Sequence, residues 1–361
     1  MKMRQLVLLS CVVVAHAALG ATGLWRSYTM AGTGDNDSFA NGVNNAGQIV
    51  GVVQSDQGAQ SSFVTDHGRL LLLDDLGGGG GNANAINDFG TVVGTAATRE
   101  GRWHAFTLQK DGSLADLGTL GGPGSSARAV NNRGQVIGYS DTSDGKWSGF
   151  LYENGKMINL GTLGGRFSAP MAINMSGTIV GLSERGDGNK HAFLYSKEKG
   201  MVDLGTLGGR HSVATGINDA GLVVGTSETA DHHWHAFTYD GKRMTDLGQA
   251  IGDGNSYAST VNNLGTVVGI YIDGLRRTFV YDDGTITVLD AEHGLYRPMA
   301  MNDHGLVVGQ RYALSHMRAS FMVPNGSVLP DWSARTKVIV LAALLLFLVA
   351  VEVRRQRNLL G

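Results

Sequence analysis

The segment "ADHHWHAF" (230–237) packs Asp231, His232, His233 and His235 closer together than any other metal-binding or proton-moving side chains in the chain. Imidazole nitrogens at such spacing can ligate zinc or copper. His235, however, is the histidine of a tripeptide "HAF" that also occurs at His104 and His191, and a residue written three times is expected to serve architecture. His232 and His233 then remain as metal candidates. As neighbours on an extended segment they point to opposite faces, so an exposed polar hairpin loop is the plainer expectation. Oxygen-rich turns at 187–189 and 253–255 (Asp-Gly-Asn) and at 34–37 ("GDND") could attract calcium. None continues into the spaced series ending in Glu that an EF-hand requires, and turn chemistry accounts for them. No cofactor is expected, with zinc at His232/His233 and calcium at these turns as the open alternatives.

Other catalytic constellations are missing from the sequence. The five glycines 77–81 are followed by no Gly-Lys-Ser/Thr and no helix signal, so they read as a flexible connection and not as a phosphate loop. The carboxylate pairs Asp74/Asp75 and Asp282/Asp283 sit beside turns, and no Gly-x-Ser-x-Gly elbow occurs. More informative are side chains that break a repeated background: Arg128, Arg166 with Phe167, Arg210 with His211, Tyr257, and Tyr296 with Arg297. Arginine and aromatic side chains form strong contacts. They are expected in the loops after the fourth strand of each repeat, where they would make one rim asymmetric and binding-competent. Ordinary solvent-facing loop residues are the alternative.

The background itself is a repeat. Asn-x-x-Gly-x-Val/Ile-Val/Ile-Gly begins at Asn44, Asn87, Asn131, Asn174, Asn218, Asn262 and Asn302, at intervals of 43, 44, 43, 44, 44 and 40 residues. Within one unit "SSARAVN" (125–131) leads to a turn, then "QVIGYS" (135–140), a polar loop, "WSGFLYE" (147–153), an Asn154-Gly155 turn and "KMINLGTL" (156–163). Short β-branched and apolar runs bounded by Gly, Asn and Asp are strand signals, and Asn-Gly pairs close hairpins. Each unit is therefore four antiparallel strands, which at this period matches a propeller blade. No blade buries both faces alone, so seven must pack around an axis. The Phe at 63, 106, 150, 193, 237, 279 and 321 is then expected in the third strand, packed between neighbours.

The ring needs a clasp. Residues 25–45 align with 242–263, so the chain opens with a fourth strand that should pair with the third strand of the last unit, covering an edge that would otherwise invite aggregation. The expected fold is an all-β, seven-bladed β-propeller of four-stranded antiparallel blades, closed by the N-terminal strand, plus a C-terminal transmembrane helix.

The ends and the bulk composition fit export. Lys2 and Arg4, the apolar run Leu6–Val14 and small residues up to Ala21 make residues 1–21 a signal peptide. Cys11, the single cysteine, lies inside it; "LLSC" has the outline of a lipoprotein box, although the residues that follow stay apolar. Residues 22–326 form the repeat ectodomain and 327–337 a linker. Residues 338–353 form a short transmembrane helix, followed by a basic cytoplasmic tail, 354–361. The 361 residues include 54 glycines and 5 prolines, suited to many tight turns. Residues 22–334 hold 22 basic against 30 acidic side chains, about −8, without a cationic stripe, so nucleic acid is not an expected partner.

The paired motifs "HAF" (104–106, 191–193, 235–237) and "DLGTLGG" (116–122, 203–209) resemble those of the HAF-repeat family of bacterial extracellular proteins. The resemblance spans residues 25–326; "SSF", "SGF", "RTF" and "ASF" replace "HAF" in the first, third, sixth and seventh units. It implies export and a propeller-like domain, and no particular reaction. The carboxyl end is similar to tripartite sorting tails, although "VLPDWS" (328–333) departs from their Pro-Glu-Pro and Thr-Gly motifs. The expected function is a non-enzymatic, membrane-anchored surface module binding a protein or glycan at the cell envelope. A polysaccharide hydrolase or lyase working from the central pocket, and a matrix component released by tail processing, are the alternatives.

Overall fold

The computed structural model describes residues 25–30, 37–55, 57–66, 69–252, 254–290, 293–313 and 316–324. The expected signal peptide (1–21), linker (327–337), C-terminal helix (338–353) and basic tail (354–361) lie outside them. Among the described residues no helix is long and apolar enough to cross a membrane.

Every repeat becomes a meander of antiparallel strands. In the third repeat Gly121–Val130 pairs with Val136–Thr142, which pairs with Trp147–Glu153, which pairs with Lys156–Asn159. Among the described residues there are five four-stranded sheets and one of eight strands. The eight-stranded sheet is two such meanders joined by a single parallel pair, Trp147 with Phe167. The first strands of the meanders (Asp37–Val43, Gly77–Ile86, Gly121–Val130, Gly164–Ile173, Gly208–Ile217, Asn255–Val261 and Arg297–Met301) each pack on the next, and the last packs on the first. They form the inner wall of a ring.

The N-terminal strand Trp25–Thr29 closes the last sheet as expected, pairing antiparallel with His316–Pro324 from Trp25↔Pro324 to Thr29↔Ser320. The repeated phenylalanines are fully buried, and each cluster mixes neighbouring repeats: Phe150 packs with Val93, Ala105 and Ala127. One sequence expectation needs correction. Glycines 77–81 are not a loose connection, because the inner strand Gly77–Ile86 starts at Gly77 and the Asp75 carboxylate accepts hydrogen bonds from the Gly77 and Gly79 N–H groups. A one-turn helix, Gly248–Ile251, replaces the "TLGG" connection of the sister repeats.

The repeated words spell latches. His104, His191 and His235 set Nδ1 2.7, 2.8 and 2.9 Å from Asp116, Asp203 and Asp246. The same aspartates accept hydrogen bonds from the N–H groups of Gly118, Gly205 and Gly248. In the third repeat, where Ser148 stands in for the histidine, Asn159 stands in for the aspartate; the Ser148 hydroxyl donates to Asn159 Oδ1 at 2.6 Å. One step on, Ser125 Oγ donates to Gly118 O and accepts from Ala105 N–H, tying the third repeat to the second.

Candidate functional site

The inner strands end at the repeated asparagines, all seven of which are buried. Each asparagine does two jobs. Its Oδ1 accepts from the backbone N–H four residues on, as in Gln135 to Asn131 at 3.0 Å, which closes its own turn. Its Nδ2 donates to the carbonyl of the next asparagine: 44 to 87, 87 to 131, 131 to 174, 174 to 218, 218 to 262, 262 to 302, and 302 back to 44, at 2.9–3.4 Å. The circle is complete.

A second layer lies on top. The backbone N–H of Asn45, Asp88, Met175, Asp219, Asn263 and Asp303 each donates to the side-chain oxygen of the equivalent residue one repeat on. Met175 offers no such acceptor, so the layer is interrupted only there among the described residues. Together the layers line an axial cavity of about 220 Å³ to which all seven repeats contribute. Asp88, Asp219 and Asp303 make this mouth acidic, but their carboxylates accept the amide hydrogen bonds of the ring.

Deeper in the channel each inner strand carries a β-bulge at the same place, for example between Ala127 and Ala129. A bulge leaves one residue out of the ladder and re-aims its side chain. At that position Asn41, Asn84 and Thr215 each donate to a backbone carbonyl of the following repeat, those of Ala83, Ala127 and Ala258. The third repeat has Arg128 there.

The opposite end of the ring is aromatic. Trp103 and Trp147 occupy equivalent starts of third strands in adjacent repeats and are 46% and 44% exposed; Tyr296 and Tyr312 are 38% and 58% exposed. Tyr139 lies 4.5 Å from the Trp147 ring at a 56° tilt. Tyr312 packs edge-on against Tyr296 at 4.8 Å, and the Arg276 guanidinium sits 4.5 Å over the Tyr296 ring, a cation–π arrangement. Lys190 Nζ stands 5.5 Å from the Phe167 ring.

Seven of the eight sequence-derived binding candidates are therefore placed differently from expectation. Arg128, Arg166, Phe167, Arg210, His211, Tyr257 and Arg297 lie on inner strands, and Tyr296 immediately precedes one. For Arg128, Arg166, Phe167, Arg210 and His211 the expected loop is already strand, because the Gly-Gly of "TLGG" joins the ladder, as in Gly121↔Thr142; Tyr296 does lie in the connection after the fourth strand Thr285–Leu289. Phe167 and Tyr296 join the aromatic end. Arg166 and Arg210 are exposed there, their backbone N–H groups held by Glu184 and Glu228 at 2.6 and 2.7 Å. His211 Nδ1 accepts from Lys190 N–H at 3.2 Å. Burial pushes the Tyr257 phenol up, with Arg276 opposing the shift.

His232 is a turn residue at φ 67° whose Nδ1 lies 2.7 Å from Glu228 Oε1. That contact, with the Arg210 N–H, holds the Glu228 carboxyl below the usual carboxylate range. His233 is exposed, its ring 6.3 Å from that of His235. Among the described residues no three His, Cys, Asp or Glu side chains are grouped to hold a metal ion. Sequence reasoning passed over Trp103, Trp147 and Tyr312. The signal was present for the tryptophans, since Trp103, Trp147 and Trp234 each stand three residues before a repeated phenylalanine.

No protein-family model matches the chain, and no curated protein matches it. Solved structures do. The β-propeller domain of the Trilobed protease from Pyrococcus furiosus superposes at TM-score 0.55 and 12% identity, covering 81% of this chain and 94% of that one. A puromycin-hydrolyzing peptidase of Mycobacterium tuberculosis gives 0.56 at 13% identity, and the acylaminoacyl peptidase of Pyrococcus horikoshii 0.53 at 11%. These two cover 81% and 78% of this chain, which spans 52% of each peptidase's length. The Pyrococcus furiosus domain is described as having an open velcro topology, whereas here Trp25–Thr29 completes the last sheet. At these identities the likeness is one of fold: the chain folds as a β-propeller.

Proposed function

We propose that this is a seven-bladed propeller of the HAF-repeat kind, exported and held at the cell envelope by the helix at 338–353. It acts there without catalysis, as a module that binds a glycan on its aromatic end. The observation that carries this reading is the pair of exposed indoles, Trp103 and Trp147, at matching positions of adjacent blades. Flat apolar rings flanked by cations and hydroxyls stack on sugar rings while leaving their hydroxyls hydrogen-bonded. The carboxylates of Asp88, Asp219 and Asp303 at the other mouth accept amide hydrogen bonds of the ring.

The test is a titration of the full-length chain with a panel of neutral oligosaccharides, read by tryptophan fluorescence. Saturable binding is expected, and Trp103→Ala and Trp147→Ala should each weaken it more than tenfold, about 1.4 kcal/mol. An affinity indifferent to both substitutions, or no saturable binding across the panel, removes the reading.

A further inference from the structure

The described chain enters and leaves the ring at one end. Trp25 pairs in register with Pro324. A Cβ at Gly305, in the turn of the seventh repeated asparagine, would stand 3.2 Å from Pro324 Cγ. Entry and exit therefore both lie at the asparagine end, away from Trp103 and Trp147. In the sequence 13 residues (325–337) separate Pro324 from the apolar run 338–351. A chain of that length reaches about 45 Å at most.

The same end carries the two most exposed large apolar side chains of the described residues, Phe89 at 80% and Leu264 at 75%. Each holds the third position of an Asn-x-x-Gly turn. Hydrogen bonds fix those turns in one rim: Asn263 N–H donates to Asp303, Asp303 N–H to Asn45, and Asn45 N–H to Asp88, at 2.8, 2.9 and 2.8 Å. The tips of these four consecutive repeats are Leu264, His304, Ala46 and Phe89, all exposed, with no acid, lysine or arginine among them. Pro324 leaves from the seventh repeat, inside this arc. A single exposed apolar residue needs no explanation. Two at one turn position, on either side of the point where the chain departs toward an apolar run, define a face. The outer hairpins below the arc hold Asp66 and Arg69, Lys110 and Asp111, and Asp282 and Asp283. They carry no excess of cations, so attraction to anionic headgroups does not define the face.

We propose that the asparagine end rests on a lipid bilayer, with Phe89 and Leu264 entering the boundary between headgroups and acyl chains, so that the aromatic end is presented away from the membrane. This rests on the anchored reading above. Apolar side chains on an otherwise polar face bury in that boundary layer. The tether keeps the face at high local concentration over the bilayer, and two contacts flanking the exit point turn a tether into a fixed orientation.

The full-length chain, with Cys11→Ser, is reconstituted into phosphatidylcholine vesicles. It carries one fluorophore, attached through Ala46→Cys in the arc or through Glu100→Cys, an exposed turn residue at the aromatic end. Flotation reports anchoring, and quenching by spin-labelled lipid reports docking. The probe at Ala46→Cys is expected to be quenched about twofold or more beyond the probe at Glu100→Cys, at low and at high salt, since the contact is apolar. Phe89→Asp combined with Leu264→Asp should abolish that excess while the protein still floats. Because both side chains are exposed, the double variant should melt with the wild type. Equal or reversed quenching at the two positions of a floating protein, or an excess that survives the double substitution, overturns the proposal and leaves the anchored reading standing. A chain that does not float overturns both.

Discussion

At the scale of single residues, repetition here records geometry that leaves no choice of side chain. Gly138 in the second strand of its repeat pairs with Ala127 on one side and Phe150 on the other. A Cβ at Gly138 would stand 2.0 Å from the Ser126 carbonyl oxygen and 2.8 Å from the Phe150 ring. The same approach recurs at Gly225, 2.0 Å from Val213 O and 2.8 Å from Phe237. The glycine is thus the floor on which the repeated phenylalanine lies, and the two residues of the motif explain each other. Backbone cannot yield as a side-chain tip can, so Gly138→Ala is expected to cost about 3 kcal/mol, the upper end of ordinary overpacking. Equilibrium urea unfolding checks it: an unchanged midpoint would mean that the second strand shifts to accept the methyl group.

At the scale of elements, strands and turns were legible because each carries its own local signature: β-branched runs, Asn-x-x-Gly turns, Asn-Gly hairpins. The buried Phe positions followed from the same period. The bulge was not legible. It arises where a straight inner strand must follow the curve of the ring, and the residues it expels, from Asn41 to Met299, share no side-chain type. Nor was the start of each inner strand, because Gly-Gly ordinarily marks a break and here lies within the ladder. That single misplacement put Arg128 on a rim when it belongs to an inner strand, at its bulge. The repeated asparagine was read as turn chemistry, which is half of its role; the other half is the bond to the next repeat. Asn131→Ala tests both halves at once. It strips the Arg133 and Gln135 N–H groups of their acceptor and removes one of the two donors to the buried Asn174 carbonyl, the other being the Gly177 N–H. Unpaired buried groups cost about 1–3 kcal/mol each, so a loss near 3 kcal/mol is expected in chemical denaturation. Asn131→Asp, which keeps the acceptor but loses the donor, should not recover the full wild-type stability.

At the scale of the whole molecule, the ring is closed twice, by different physics. One closure is the circle of asparagine side chains, where Asn302 donates to Asn44 at 3.0 Å and Asp303 N–H donates to Asn45 at 2.9 Å. The other is the strand Trp25–Thr29, whose Trp25 is buried with Leu295 and Met322 of the last repeat. The second closure could be foreseen from the alignment of residues 25–45 with 242–263. The first could not, because it joins side chains that meet only once the circle exists. Their relative weights decide what an opened propeller looks like. Deleting residues 25–29 removes a buried tryptophan and bares the edge of His316–Pro324, a strand most of whose residues are buried. Exposed strand edges recruit other chains, and a loss of several kcal/mol in a domain of this size lowers the melting temperature by about 10 °C or more. A lower melting point together with concentration-dependent association in sedimentation velocity is the expected result. A truncated chain that melts with the wild type and stays monomeric would assign closure to the asparagine circle, and in that case Asn302→Ala, not loss of the N-terminal strand, should open the ring.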